Sequence, residues 1–318
     1  MGKKDVLIKK YLGRNEIFAD VFNYYLFNGE YVIHPEDLRD QDTNELAYLK
    51  GADKTFASQK MRDLLKLCTI RKSSYGTLVL LGIEGQSNVH YSMPVRDYLY
   101  DALNYASQVK AISMDHEKTN RLKGAEKLSG FSKDDHLIPV ITLCICFDKA
   151  VWDGPKSLFE MFGDVDERIR EYIDDYRLNL ITPGEIEDFG KFATELGFVL
   201  EVIHNSDTRD RIYDIIDANK DRVVDVLTAE MINTYTGLEI YTESEEGGQV
   251  MMSQGVKEWR EELLAEGRAD GLATGIEKGA NMLAQLLKTI TPGNEDYDKA
   301  LNATEEERKE LFKKYNIV

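Results

Sequence analysis

The residues of this chain best suited to chemistry are Asp63 and the run Glu84-Gly85-Gln86. That run ends an apolar stretch, residues 77–83, which is the clearest buried strand in the sequence. In a strand, residues two apart share a face. Leu78, Leu80, Gly82, Glu84 and Gln86 therefore line one side, and Val79, Leu81 and Ile83 the other. The apolar part belongs in a core, and the polar pair emerges where the strand ends. A carboxylate on rigid structure is a good ligand for a hard cation, and Mg²⁺ takes one or two carboxylates with waters and substrate phosphate. Asp63 can supply the second carboxylate, the Gly85 carbonyl a third oxygen, and Gln86 a group that orients water or contacts phosphate. A cation held there would acidify a bound water and neutralise phosphate charge. Glycine at 82 and 85 leaves space for a ligand or another backbone. The same residues also fit a solvated strand end, with Asp63 in a surface ion pair with Arg62 or Lys66.

The elements that must position these groups follow from periodicity. Residues 15–26 read as an amphipathic helix through Ile17, Phe18, Val21, Phe22 and Tyr25, ended by Asn28-Gly29. Residues 31–33 read as a short extended piece and 35–46 as a turn with a short helix. Residues 55–71 begin polar and turn apolar at Leu64, Leu65, Leu67 and Ile70. A helix runs from Pro94, a favoured first helical position, to about residue 109. Residues 115–133 read as a charged loop, 137–147 as a second strong strand, 157–162 as a short helix, and 177–181 as a third strand. Beyond Pro183-Gly184 the pattern becomes helical: 185–196, 207–218 and 222–235. An acidic break at 243–248 precedes a long helix and a terminal hairpin over 251–318. Within that helix Gly267, Gly271, Gly275 and Gly279 recur every four residues. Glycine costs about 1 kcal/mol each in a helix, so the stripe implies either close helix–helix approach or a flexible tail.

Composition narrows the class. The chain has 318 residues and a net charge of −17. Residues 1–150 carry 21 Lys/Arg and 20 Asp/Glu, so the acidity belongs to the remainder. Phosphate contacts need local positive charge and not a basic total, and the first half holds basic clusters at Lys3-Lys4, Lys9-Lys10, Lys60/Arg62/Lys66, Arg71-Lys72 and Lys118/Arg121/Lys123/Lys127. No run approaches the ~20 apolar residues of a membrane helix, and the N-terminus lacks the apolar segment of a signal peptide. Cys144 and Cys146 share one face of an apolar strand as small core residues, and with Cys68 they make no disulfide framework, which fits a reducing cytoplasm. The histidines show no ligand spacing; His90 is close in sequence to the acids and fits either a phosphate contact or an exposed turn. No phosphate-binding glycine loop or serine-hydrolase elbow is present.

Several blocks in order carry a resemblance. They are Phe18-Ala19-Asp20-Val21-Phe22-Asn23, Val32-Ile33-His34-Pro35-Glu36-Asp37-Leu38, Arg62-Asp63, and Glu84-Gly85-Gln86-Ser87. They continue with Met93-Pro94-Val95-Arg96-Asp97-Tyr98-Leu99-Tyr100-Asp101, Tyr105, Leu137-Ile138-Pro139-Val140, and Trp152-Asp153-Gly154-Pro155-Lys156-Ser157-Leu158. Over about residues 10–180 the chain resembles the Rpn family of recombination-promoting nucleases and transposases, within the PD-(D/E)XK nuclease superfamily. The resemblance implies an α/β fold: a restriction-endonuclease-like mixed central sheet of four or five strands flanked by helices, with a helical C-terminal region. It implies a nuclease-like domain over 1–183, a helical subdomain over 184–248 and a Gly-punctuated tail over 249–318. Asp63 takes the place of the first motif acid and Glu84 of the second, both as metal ligands with Gly85, for Mg²⁺ or Mn²⁺. Gln86 stands where lysine is usual, bringing a dipole in place of a charge. The face carrying Arg96 and Tyr100, four apart on a helix, is expected to border the site. There Arg96 would hold phosphate or pin Glu84, or instead pair with Asp97 or Asp101. Asp20 and Glu16 are either auxiliary acids or a solvated helix face. The implied activity is DNA endonuclease, in the cytoplasm, with self-association possible through the C-terminal helix. The alternative is a catalytically weak, nuclease-like nucleic-acid-binding or assembly module.

Overall fold

The computed structural model describes residues 2–41, 63–72, 75–238, 240, 248–302 and 304–317. The chain divides into two compact units, Met1–Gln254 and Gly255–Val318.

The first unit is built on a five-stranded mixed sheet in the order β1 (Leu38–Asp40), β2 (Leu64–Lys72), β3 (Tyr75–Gln86), β4 (Val140–Cys146), β5 (Asn179–Ile181). β1, β2 and β3 are antiparallel neighbours. β4 and β5 join β3 in parallel. Parallel pairing needs a long crossover, and α3 (Met93–Thr119) provides it between β3 and β4. The alternation read from residues 78–86 is present, and both faces are covered. On the odd-numbered face of β3, Val79, Leu81 and Ile83 are buried beneath α1 (Lys3–Leu12) and α2 (Asn15–Phe27). On the even-numbered face Leu80 packs with Leu65, Val140 and Tyr105 of α3.

Lys66 explains how β2 accepts a charge on its buried face. Its ammonium, 2% exposed, donates to Gly13 O (2.8 Å) and Asn15 Oδ1 (2.5 Å) and pairs with Asp40 (2.9 Å). It also lies 5.2 Å from the Phe18 ring centroid. A buried charge is tolerable only when so satisfied. The result ties the α1–α2 turn to the sheet.

Several expectations need correction. Residues 3–12, not assigned as a helix from the sequence, form α1. Residues 115–133 are not all loop, since α3 runs to Thr119 and a short helix spans Gly124–Ser129. Residues 31–33 form no strand; the edge strand is Leu38–Asp40. Residues 185–196 are not a helix but two 3₁₀ turns and bends, and the helix there is Leu196–His204. The physical reason is competition for backbone donors: the Asp20 carboxylate accepts from the amides of Ala193 (2.8 Å) and Thr194 (2.9 Å), which a continuous helix would bond internally. Residues 222–235 open with a strand, Val223–Asp225, paired to Gln249–Met251, before α4 (Val226–Thr236) begins. The acidic break at 243–248 falls largely outside the described residues.

Within the first unit α1 packs directly against α4. Arg14 pairs with Asp225 at 2.5 Å and Ser87 Oγ lies 2.9 Å from Tyr235 Oη.

The second unit contains most of helix Met252–Thr289, followed by Glu295–Asn302 and Glu305–Lys314. Leu286, Ile290, Ala300, Leu311 and Ile317 form its core, as the expected terminal hairpin requires. A Cβ at Gly271, Gly275 or Gly279 would meet nothing within 4 Å, so no described residue packs on that stretch of the stripe. No helix among the described residues is long and apolar enough to cross a membrane.

Candidate active site

Asp63 and Glu84 meet at the end of the sheet. The β2–β3 register pairs Leu64 with Ile83, so the next step along each strand brings Asp63 opposite Glu84. Two hydrogen bonds lock the arrangement. The Asp63 amide donates to Glu84 Oε1 at 3.1 Å, and the Gly85 amide donates to Asp63 Oδ2 at 3.0 Å. Each acid is thus held by the backbone beside the other.

Arg96 reaches the same point from α3, with Nη2 2.9 Å from Glu84 Oε2. Of the alternatives for Arg96, the structure shows the one that pins Glu84. Asp101 is engaged by Thr142 Oγ1 (2.5 Å) and Tyr176 Oη (2.7 Å) instead. Arg96 Nε donates to Tyr100 Oη at 3.1 Å, so the two residues four apart act as one unit. Asp97 is fully buried on the same helix, and its charge acts on Glu84.

Burial controls the electrostatics. Glu84 is 0% exposed, and desolvation, followed by the Asp63 charge, pushes its carboxyl well above the usual range against the opposing pull of Arg96. Desolvation raises Asp63 too, opposed by the Gly85 amide, Arg96 and Lys9. Burial and the Glu84 charge push the Tyr100 phenol up to about 12. His90 is half-buried, and burial together with Arg96 lowers its imidazole. Such a concentration of perturbed groups marks a functional-site candidate.

The donor set fits a hard divalent cation in kind. It offers two carboxylates whose further lone pairs are not taken by backbone, and Glu84 Oε2 accepts no hydrogen bond despite its burial. Two carboxylates with substrate phosphate are a common Mg²⁺ complement. No group of three or more His, Cys, Asp or Glu suited to a metal occurs among the described residues. Arg96 currently neutralises the oxygen a cation would need.

Other expected residues lie elsewhere or differ in role. Asp20 is 3% exposed, and its carboxylate is engaged by residues 193 and 194, a structural clasp and not a partner of Asp63 or Glu84. Glu16 lines a separate cavity of about 250 Å³ with Arg14, Thr194, Glu195 and Asp225. Gly85 does not leave room for a ligand on its odd-numbered face. A Cβ there would lie 2.2 Å from Ile8 Cγ2 and 3.4 Å from Leu12 Cδ1, so α1 fills the space. Gln86 is half-buried at the strand end. Cys144 and Cys146 pack with Met93, Trp152 and Leu178, as core residues should.

Sequence reasoning missed α1 as part of the site. The available signal was Ile8 and Leu12 at helical spacing, with Tyr11 beside them. No family model matches this chain, and no curated protein and no solved structure matches it either.

Proposed function

We propose that this chain is a metal-dependent deoxyribonuclease of the PD-(D/E)XK type, like the recombination-promoting nucleases its sequence resembles. The observation that carries the reading is the mutual clasp of Asp63 and Glu84, 21 residues apart in sequence, at the end of the central strand of a mixed sheet. That sheet, with α1 and α2 on one face and α3 on the other, supports a restriction-endonuclease-like assignment of the fold.

In this reading Asp63 and Glu84 hold Mg²⁺ or Mn²⁺, with the Gly85 carbonyl as a further oxygen. When bound, the cation would acidify a water and neutralise phosphate oxygens. The chain's own groups do the rest. Gln86 orients the attacking water by its dipole, Arg96 turns from Glu84 to a phosphate oxygen, and Tyr100 keeps the guanidinium in reach. Arg96 suits both tasks because its planar fork matches carboxylate and phosphate alike. DNA would meet the first unit, whose basic clusters lie outside the acidic remainder.

The test is cleavage of supercoiled plasmid with Mg²⁺ or Mn²⁺ by the wild type, Asp63→Ala and Glu84→Ala. Nicking by the wild type alone is expected; equal nicking by all three would mean contamination and end the enzyme reading. A second reading, a catalytically weak nucleic-acid-binding or assembly module, draws on the 2.9 Å Arg96–Glu84 pair, which closes the site to cations. Calorimetric titration separates them: no Mn²⁺ uptake by the wild type, alone or with DNA, favours the module. Self-association through helix Met252–Thr289, with Leu272 and Ile276 exposed on it, would appear as a concentration-dependent mass.

A further inference from the structure

A cavity opens at the same end of the sheet as Glu84. Ile181 of β5 lies opposite Ile145, and Ile145 lies opposite Gly85. Two strand spacings therefore separate Ile181 from Gly85, roughly 10 Å. The C-terminal end of α2 brings Tyr24, Tyr25 and the following Asn28 against Ile181, Thr182 and Glu185. These residues line a cavity of about 290 Å³. Its wall is aromatic. Tyr24 stacks on Phe192 with ring centroids 4.1 Å apart and an interplanar angle of 13°, and the half-buried Tyr24 also faces the cavity. The charged groups are already engaged. Glu185 accepts from Lys156 Nζ at 2.7 Å, and Asn28 Oδ1 accepts from Lys191 Nζ at 2.8 Å. Tyr25 Oη donates to Asn179 Oδ1 at 3.2 Å. The groups left over are neutral. Thr182 is 1% exposed, and its hydroxyl meets no hydrogen-bond partner among the described residues. The Asn28 amide nitrogen donates to none of them either. A buried hydroxyl without a partner is costly, and a ligand that supplies one removes the cost.

We propose that this cavity binds a nucleobase, its flat ring laid against Tyr24 and its polar edge turned to Thr182 and Asn28. A third ring on the Tyr24–Phe192 stack suits any base, since every base has a π-face. The edge of a base carries donors and acceptors. The Thr182 hydroxyl can give or take a hydrogen bond, and the Asn28 amide nitrogen gives one. A compact cation would have to compete with Lys156 and Lys191, which already hold Glu185 and Asn28. An anion fits worse, because Glu185, Glu187 and Asp188 gather just after Thr182, and the charges of the last two act on Tyr24. A phosphate attached to the base therefore belongs outside the cavity. The base comes either from an unpaired nucleotide of a DNA strand or from a free nucleotide. The first source deepens the nuclease reading and rests on it, since the strand would then run toward Gly85; the second stands without it.

The experiment reads binding and needs no cleavage. Wild type, Tyr24→Leu, Thr182→Val and Asn28→Gly are titrated calorimetrically with adenosine, guanosine, cytidine and thymidine. They are then titrated, with Ca²⁺ in place of Mg²⁺, with a blunt DNA duplex and with the same duplex carrying a single-stranded overhang. Tyr172→Leu removes a tyrosine that is 88% exposed and outside the cavity, as a control for casual stacking. Thermal melting is recorded for every variant. Thr182→Val keeps the shape of the side chain and removes a hydroxyl that bonds nothing, so it should melt no lower than wild type. Asn28→Gly preserves the left-handed backbone at φ 56. At least one nucleoside should bind wild type and Tyr172→Leu alike. Its Kd should rise about tenfold in Tyr24→Leu and about threefold or more in Thr182→Val and Asn28→Gly. A preference for the overhang that these variants lose assigns the base to a DNA strand; nucleoside binding with no such preference assigns it to a free nucleotide. A wild type that binds no nucleoside and does not prefer the overhang overturns the proposal, as does binding that folded Tyr24→Leu and Thr182→Val leave unchanged. Plasmid cleavage, which tests the nuclease reading, is scored separately and decides nothing about nucleoside binding.

Discussion

The backbone amide of Asp63 donates to Glu84 Oε1 at 3.1 Å, so the residue that brings one acid to the site is held there by the other. Removing the Glu84 side chain leaves that amide without its acceptor and the Arg96 guanidinium without its ion-pair partner. Glu84→Ala should destabilise the first unit by about 1–3 kcal/mol, the usual cost of orphaning a buried polar group. Glu84→Gln keeps an acceptor oxygen and should cost less. Urea unfolding measures both; an alanine variant as stable as wild type would show that the clasp contributes nothing to folding.

Gly85→Ala should be harmful for reasons unrelated to ligand access. The new methyl would meet Ile8 Cγ2 at 2.2 Å, and overpacking of this kind costs about 1–3 kcal/mol. Ile8→Ala alone should also destabilise, by opening a cavity. The double variant should be more stable than the sum of the two losses predicts, with a coupling energy of about 1 kcal/mol or more. Additive losses would mean that α1 does not pack on Gly85.

Lys66→Met removes a buried ammonium and strands Gly13 O and Asn15 Oδ1, its acceptors at 2.8 and 2.5 Å. The apolar stem still packs, so the loss is chiefly polar, more than about 2 kcal/mol. Hydrogen exchange at the start of α2 should speed up, because the α1–α2 turn loses its anchor. Unchanged exchange there would refute the anchoring role.

A pH dependence should arise away from the candidate site. Burial, together with the charge of neighbouring Asp225, raises the Glu195 carboxyl, while Thr228 Oγ1 donates to it at 2.6 Å. A group raised in the folded state favours folding below its unfolded value, near 4.5, and that advantage is lost as pH rises through the folded value. The melting temperature should therefore carry a downward component above about pH 4.5. Glu195→Gln, which keeps the Thr228 contact and removes the charge, should abolish that component; an identical pH profile in wild type and variant would count against it.

Much of the sheet was legible because its signals are local. Residues 77–83 and 137–147 are apolar runs bounded by polar groups, and both became central parallel strands. Helix 15–26 matched α2 to one residue, since its apolar spacing is that of a buried stripe. The short elements were less legible. The 3₁₀ turns that replace a helix over 185–196 depend on Asp20, more than 170 residues away, and no local pattern records such a contact. The interface between α1 and α4 likewise joins distant parts of the chain, and no local pattern records it.

By itself the sequence determined the two acids, the place of Glu84 at the end of a buried strand, and the arginine four residues before Tyr100. Residue type and period two or 3.6 suffice for that. Only the tertiary structure decided what those residues touch. It set Glu84 against Arg96 and not Asp101 against it, turned Asp20 into a backbone clasp, and filled Gly85 with Ile8. Each of these is a contact between different elements, set by how the helices pack on the sheet and on one another, and spacing along a sequence carries no information about that choice.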